Sequence, residues 1–235
     1  MGRSRLVVRL SVAVIVASCA VSVRAAGHQL KGRWDVDVQR SRVYVHVYPT
    51  GLGHEHGVSG RLRSGYVVFG ATQRAGELIF DMKQFHADDP AARRAVGLDP
   101  AASATEQRQV TSTMLGPDIL DVGRYPMARF VIDRVELSAA PRTSWLKGAS
   151  SVYQFRGHLT LHGVTQPLKF EAGVYPGRKG GTIELRGGFR LYQSKYGIRP
   201  YKRLFGAVGV ADHLDIYGFL VLHPAQPDRH KPTAP

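Results

Sequence analysis

The chain has 235 residues, a net charge of +14 and one cysteine. A single cysteine excludes a disulfide framework, and about 210 residues behind a leader suffice for one domain that buries roughly 70% of its unfolded surface. The basic balance favours anionic partners such as phospholipid headgroups or envelope polymers. The alternative is a basic soluble surface without a specific partner.

Residues 1–25 have the pattern of a secretory signal peptide. They carry four arginines and no acidic residue, so the rest of the chain has a net charge of +10. The apolar run at 10–23 is shorter than the ~20 residues that span a bilayer. Cleavage near Ala25 predicts a periplasmic or secreted protein, which argues against nucleic acid as a partner. Alternatively, Val16–Cys19 resembles a lipobox and would make the protein a lipoprotein anchored at Cys19.

From residue 34 onward, apolar residues recur at every second position, which is the period of a strand with one buried face. Five runs in the first part of the chain predict strands: Trp34–Val38, Val43–Tyr48, Val58–Arg63, Tyr66–Phe69 and Leu78–Met82. Ser64 and Gly65 predict a turn between the third and fourth of these runs.

Helical signals interrupt the strand pattern between residues 87 and 126. Residues 88–90 predict a short helical turn, because a proline is tolerated in the first turn of a helix. Either Ser103 or Thr105 can cap a helix over Glu106–Leu115. A helix at this place in a strand series is expected to cross one mouth or flank of the sheet.

Strand patterns return in the second half of the chain: Arg129–Leu137, Phe155–Leu161, Leu168–Val174, Thr182–Tyr192 and Val210–Leu222. Gly163 permits the backbone angles of a tight hairpin turn between the second and third of these strands. Eight to ten strands in total predict an all-β sandwich or barrel. Residues 223–235 contain four prolines and few apolar residues, so we expect this tail to be disordered.

Four segments, in this order, resemble the YceI-like family, the polyisoprenoid-binding proteins. They are Trp34–Val43, Leu115–Phe130 with its Tyr-Pro pair, Gly157–Pro167 (GHLTLHGVTQP) and Tyr192–Leu222. Three departures mark the chain as a divergent member. Gln166 replaces the usual basic residue before the proline, Arg108–Leu115 lacks the Arg-Asp-x-His-Leu motif, and Gly53–Gly57 holds two histidines where the family usually has one.

The resemblance implies a lipocalin-like antiparallel β-barrel of about eight strands over residues 26–222, with one or two short helices inserted between strands. It also implies that the barrel interior holds an isoprenoid or other long-chain lipid. A barrel of this size either fills itself or encloses one small ligand, so a packed core is the alternative. The apolar alternation would line the interior with Val45, Val47, Phe80, Met82, Phe130, Ile132, Leu159, Leu161, Phe170, Phe189 and Leu220.

His54 and His56 form the strongest alternative site. On an extended segment both side chains project from one face, about 7 Å apart, and two such imidazoles can share a zinc or copper ion with a third ligand. Candidate third ligands are Glu55, His86, His158 and His162. A polar loop at the barrel rim explains the same pair without a metal, and no cofactor other than a bound lipid is predicted.

No arrangement of nucleophile, base and acid is recognisable, so we predict a binding protein rather than an enzyme. His162 is interpreted as a hydrogen-bonding residue of the hairpin turn. The basic, aromatic run Tyr192–Phe205 can rest on an anionic membrane surface, with a solvated loop as the alternative. A filled barrel with a structural or stress-related role in the envelope is a further alternative. No residue pattern fixes the oligomeric state.

Overall fold

The computed structural model describes residues 29–139 and 146–226. Within these ranges, ten strands and two α-helices follow one another along the chain. The strands are β1 (Gly32–Val36), β2 (Arg42–Gly51), β3 (His56–Phe69), β4 (Gly76–Ala87), β5 (Met127–Leu137), β6 (Ser151–Leu161), β7 (Val164–Pro176), β8 (Ile183–Tyr192), β9 (Lys202–Arg203) and β10 (Val208–Pro224). The helices α1 (Pro90–Ala95) and α2 (Ala104–Leu115) lie between β4 and β5.

Eight of the strands close into a barrel. Strands β2 to β8 pair in chain order, and β10 pairs with both β8 and β2. Every one of these pairings is antiparallel. The predicted all-β, lipocalin-like barrel of about eight strands is therefore confirmed, together with the short helices between strands.

Strands β1 and β2 share one position in the barrel, between β3 and β10. Strand β1 pairs with one end of each neighbour, and β2 pairs with the other. The chain leaves the sheet between them, where the backbone nitrogen of Asp37 donates to the carbonyl of Val221 at 2.8 Å. Ser41 is fully buried, and its Oγ accepts a hydrogen bond from the nitrogen of Val221 at 2.9 Å. The serine thus satisfies a β10 backbone group at the break.

Aromatic side chains close the end of the barrel at which β1 lies. The ring of Phe69 contacts Trp34 (centroids 6.4 Å apart) and Tyr153 (4.9 Å). Tyr153 is 1% exposed, and its hydroxyl accepts a hydrogen bond from the backbone nitrogen of Leu30 at 2.8 Å. The interior is therefore filled at this end.

The turn predicted at Ser64 and Gly65 is wrong, because β3 continues through both residues. The register of the β3–β4 ladder shifts there, between Leu62 and Ser64, which is the signature of a β-bulge. A Cβ at Gly65 would lie 2.7 Å from the Leu78 side chain. The glycine therefore permits close packing within a strand and does not reverse the chain.

Strand β10 ends at Pro224, two residues beyond the boundary predicted at 222, so the predicted disordered tail does not begin at His223. The backbone nitrogen of Ala225 still donates to the Arg33 carbonyl at 3.0 Å. Residues 227–235 of that tail lie outside the described residues. The same is true of the predicted signal peptide, residues 1–25, and of the alternative lipidation site, Cys19.

Local caps define where both helices begin. Asp89 caps α1 by accepting hydrogen bonds from the nitrogens of Ala91 and Ala92, both at 2.9 Å. Ser103 caps α2 in a capping box with Glu106, as one of the two predicted caps. In the two described ranges, no helix has the length and apolar character required to cross a bilayer.

Candidate functional site

A cavity of about 440 Å³ lies inside the barrel. Inward-facing residues of all eight barrel strands line it, and side chains of α2 and of the segment before β10 line its mouth. Its volume falls in the range of ~300–1,000 Å³ that is typical of small-molecule sites. The mouth lies at the end opposite the aromatic cluster of Trp34, Phe69 and Tyr153.

Ten of the eleven residues predicted from the apolar alternation lie on the cavity wall. They are Val45, Val47, Phe80, Met82, Phe130, Leu159, Leu161, Phe170, Phe189 and Leu220. Ile132 is fully buried and does not line the cavity. Its position pairs with Gly76 of β4 and Gly157 of β6, where it belongs to the packed core. That the eleven predicted residues contact a ligand stays a prediction.

Four phenylalanines from four neighbouring strands form an aromatic section of the wall. Phe170 of β7 stacks on Phe155 of β6, with ring centroids 5.3 Å apart and planes inclined by 7°. Its ring also contacts Phe130 of β5 at 5.6 Å and Phe189 of β8 at 5.4 Å. Such rings give a large apolar surface that can pack against hydrocarbon without polar recognition.

Polar side chains line the cavity only at its mouth, as far as the described residues show. They are His54, His56, Gln109, Thr113, Gln193, Tyr201 and Arg203. The sequence had singled out the two histidines, and the basic run had included Tyr201 and Arg203. Gln109 and Thr113 were missed. Their spacing of four residues on α2, beside Val110 and Met114, is the signal that could have found them.

Asp88 is a buried residue at the rim that binds His56, Arg93 and Gly57. One of its carboxylate oxygens lies 2.5 Å from Nδ1 of His56, and the other accepts hydrogen bonds from Nη1 of Arg93 (2.8 Å) and the nitrogen of Gly57 (3.1 Å). Burial opposes ionisation of this carboxyl, but the bonds from His56, Arg93 and Gly57 outweigh burial and hold the pKa of Asp88 below its ordinary value. The rim is therefore built around a buried negative charge.

Helix α1 packs closely against the start of β3. A Cβ at Gly57 would lie 2.8 Å from both Cα and N of Arg93, so glycine is required for this approach. Asp88 precedes the helix with a φ of +57°, a region that aspartate tolerates better than most residues. Ser59 of β3 also donates a hydrogen bond to the carboxylate of Asp89.

His54 and His56 lie side by side on the cavity lining. Their ring centroids are 4.5 Å apart. Nδ1 of His56 is already engaged by Asp88, so a metal at this pair would have to use the other ring nitrogen or displace the carboxylate. Metal binding by the pair stays a prediction.

Three of the four candidate third ligands have other partners. The contacts are Glu55 with His46 (2.9 Å), His158 with Asp133 (2.9 Å) and His162 with the carbonyl of Tyr196 (3.3 Å). His86 is exposed on β4. Within residues 29–139 and 146–226, no group of three or more His, Cys, Asp or Glu side chains is placed to hold a metal ion.

The hairpin between β6 and β7 is architectural. His162 and Gly163 form its turn with φ values of +51° and +75°. The ring of His162 lies against Tyr125, with centroids 4.4 Å apart, and a Cβ at Gly163 would lie 2.7 Å from Cε1 of the same tyrosine. Two of the segments that carry the family resemblance therefore contact each other at this turn.

The basic, aromatic run Tyr192–Phe205 folds over one side of the mouth. It contains a 3₁₀ turn at Gln193–Tyr196 and strand β9, which pairs with β10. Arg203 of β9 lines the cavity, whereas Leu204 and Phe205 project away into solvent. The run thus connects the cavity with the outer surface.

A family model described as the YceI-like domain matches residues 34–219, which is most of the chain and all of the barrel except its ends. The chain belongs to the YceI-like domain family. The match confirms the resemblance inferred from four separate segments, including those that meet at His162 and Tyr125.

Solved structures with the same fold include BcnA from Burkholderia cenocepacia, at 17% identity and a TM-score of 0.50, over 80% of this chain and 99% of that protein. A polyisoprenoid-binding domain from Saccharophagus degradans, implicated in plant cell wall breakdown, is 10% identical with a TM-score of 0.52, over 82% of this chain and 98% of that domain. At these identities the likeness is one of fold. No curated protein matches this YceI-like chain.

Proposed function

We propose that this YceI-like protein binds and carries a long-chain, isoprenoid-type lipid inside its barrel and performs no chemistry on it. The observation that carries the proposal is the cavity of about 440 Å³, whose wall is apolar and whose polar residues are confined to the mouth. Family membership supports it, since one solved relative is described as a polyisoprenoid-binding domain.

Hydrocarbon burial alone can supply the affinity. Each buried CH₂ contributes about 0.8 kcal/mol, so about ten such groups contribute about 8 kcal/mol, which corresponds to micromolar binding. The rigid strands that form the wall keep ordering costs on the protein side low. A barrel filled by its own side chains lacks such a space, so the cavity favours a carrier over a purely structural role.

We further propose that the protein acts in the bacterial cell envelope. The support is the basic, apolar leader in residues 1–25. N-terminal sequencing of the protein from a cell-envelope fraction tests this. A mature chain that starts near residue 26 supports a periplasmic or secreted protein, whereas an acylated Cys19 supports the lipoprotein. An intact leader in the cytosol contradicts both.

The ligand proposal is tested by native mass spectrometry and lipid extraction of purified protein, with and without added polyisoprenoid. We expect a bound or acquired long-chain lipid in the wild type. Val45→Trp should abolish it, because Val45 is 8% exposed on the cavity wall and the indole would occupy ligand space.

Tyr44→Trp is the matched control for this substitution. Tyr44 is the preceding residue of β2 and points to the outer face, where its ring contacts Phe219 at 5.6 Å. It should keep lipid at the wild-type level, with circular dichroism showing a folded barrel in both variants. A wild type that is lipid-free and acquires no polyisoprenoid would overturn the proposal.

A further inference from the structure

The most exposed large apolar side chains lie together at the mouth of the barrel. Leu52 is 85% exposed, Leu204 is 72% exposed and Phe205 is fully exposed, whereas no other large apolar side chain among the described residues exceeds 49%. The loops that carry them are joined, because the backbone nitrogen of Leu52 donates to the carbonyl of Ala207 at 2.9 Å. We call Leu52, Leu204 and Phe205 the apolar tip.

The backbone holds part of the tip in an uncommon conformation. Leu204 and Phe205 have φ values of +49° and +54°, and Gly206 follows at +92°. Two consecutive bulky residues in the left-handed region are rare, and such outliers concentrate at functional sites. Burial does not explain the conformation, since both side chains face solvent.

Four cationic residues lie near the tip in the chain. They are Lys195, Arg199, Lys202 and Arg203, and residues 195–211 contain no acidic residue. The nearest acidic residues along the two segments, Glu55 and Asp212, are engaged by His46 and Ser194. All four cationic side chains are exposed. Exposed apolar groups bordered by lysine and arginine complement an anionic lipid surface, in which the apolar groups enter the interface and the cations meet phosphates.

The tip also adjoins the ligand entrance. Arg203 immediately precedes Leu204, and Val208 follows the tip after two residues; both line the cavity. We propose that the apolar tip docks the barrel onto an anionic phospholipid membrane with the cavity mouth facing the bilayer. Docking is independent of cargo and holds for an empty barrel. Where the protein carries lipid as proposed above, docking also provides a route by which hydrocarbon passes between the bilayer and the cavity without crossing water.

A second copy of this chain fits the tip less well. Stable protein interfaces bury about 1,200–2,000 Å² in total, and an aromatic side chain covers only about 150–250 Å². The cations around the tip would also repel the same cations of a second copy. A fluid anionic surface needs neither a large complementary area nor an opposing acidic patch.

Flotation with lipid vesicles tests the proposal. We expect the protein to float with vesicles of phosphatidylcholine mixed with phosphatidylglycerol and much less with phosphatidylcholine alone, with binding reduced at high salt. Leu204→Ser combined with Phe205→Ser should lower the partition coefficient by about tenfold for each side chain, since burial of one large apolar side chain is worth about that factor. Lys195→Gln with Lys202→Gln should lower it for anionic vesicles only.

The opposite end of the barrel supplies matched controls. Leu137→Ser removes an apolar side chain that is 49% exposed at the closed end, and Arg178→Gln with Lys179→Gln removes two exposed charges from the loop between β7 and β8. Both should bind vesicles as the wild type does. When loaded with polyisoprenoid from detergent rather than from membranes, Leu204→Ser/Phe205→Ser should hold as much lipid as the wild type, because neither residue lines the cavity.

Phe205→Trp reports insertion directly. Its fluorescence should shift to the blue and be quenched by brominated lipid when anionic vesicles are added, and that of Leu137→Trp should not. Absence of flotation, wild-type flotation of the tip variant, or an unshifted Phe205→Trp emission would overturn the docking proposal. If light scattering shows a dimer and the tip substitutions dissociate it, the docking proposal is overturned, and the tip binds a second copy of the chain instead. A barrel that floats with vesicles but contains and acquires no lipid would contradict the proposed lipid carriage and leave the docking proposal intact.

Discussion

The carboxylate of Asp88 lies 2.5 Å from Nδ1 of His56, although 32 positions separate the two residues in the chain. The contact joins the start of β3 to the turn before α1, at the mouth of the cavity. Because the same carboxylate accepts a hydrogen bond from Arg93, one buried charge sets both the orientation of the histidine and the position of the helix.

Asp88→Asn should destabilise the fold by about 3 kcal/mol. The amide keeps the size of the side chain and tolerates the φ of +57°, so the change isolates the charge. Loss of one partner of a buried ion pair costs about 3–5 kcal/mol, and Arg93 and His56 stay partly solvated, which favours the lower value. Urea unfolding measures the effect. Asp118→Asn, an exposed control, should change stability by less than about 0.5 kcal/mol.

Acid should unfold the protein partly through Asp88. Its pKa lies below the ordinary value in the folded state, so the unfolded chain takes up the proton more readily. The stabilisation is complete above the unfolded pKa of about 3.9 and is lost as the pH falls through the folded pKa. Thermal midpoints measured from neutral to acidic pH should fall less steeply below pH ~4 for Asp88→Asn than for the wild type. Parallel profiles would contradict this assignment.

Ser41→Ala should cost about 1–3 kcal/mol, because it leaves the buried nitrogen of Val221 without its acceptor. Urea unfolding again measures the loss. Ser64→Ala changes an exposed serine in the neighbouring strand β3 and should be nearly neutral. Equal effects of the two substitutions would show that the hydrogen bond at the break between β1 and β2 contributes nothing.

The fold was predictable because strand alternation is local. Each run such as Val43–Tyr48 indicates its own buried face, and the order of the family-like segments then selects a barrel. The role of Ser41 was not predictable, although it lies in one of those segments, because its partner Val221 is 180 positions away. Closure by β10 between β8 and β2 is non-local in the same way.

In the candidate site, too, local features could be predicted from the sequence and non-local contacts could not. Its wall could be predicted from side chains such as Phe130 and Phe170, since an inward face of a strand is visible in the sequence. The rim could be predicted only in part, because Gln109 and Arg203 reach the cavity through the placement of a helix and a loop. The sequence around Asp88 predicted only a helical turn. Its contact with His56 could not be predicted, because tertiary packing brings the two residues together.

Gly163→Ala should destabilise the β6–β7 hairpin by at least about 1–2 kcal/mol. Its φ of +75° is unfavourable for alanine, and the new Cβ would lie 2.7 Å from the Tyr125 ring. Thermal unfolding compares it with Gly180→Ala, in the loop between β7 and β8. A Cβ there meets no atom within 4 Å, so that control should stay within about 1 kcal/mol of the wild type. A larger loss in the control would contradict the argument.

Ser103→Ala should loosen α2 without unfolding the barrel. Ser103 Oγ accepts a hydrogen bond from the nitrogen of Glu106 at 3.2 Å, and loss of an N-cap costs about 1 kcal/mol. Since no residue of α2 is fully buried, the cost should appear as local opening, with hydrogen exchange of the helix amides about fivefold faster and the thermal midpoint almost unchanged.

Lipid exchange should accelerate too, because Val110 and Met114 of α2 line the mouth. Thr105→Ala, two residues later in the chain, should leave both rates near the wild-type values. A lower thermal midpoint without faster helix exchange would contradict local opening of α2.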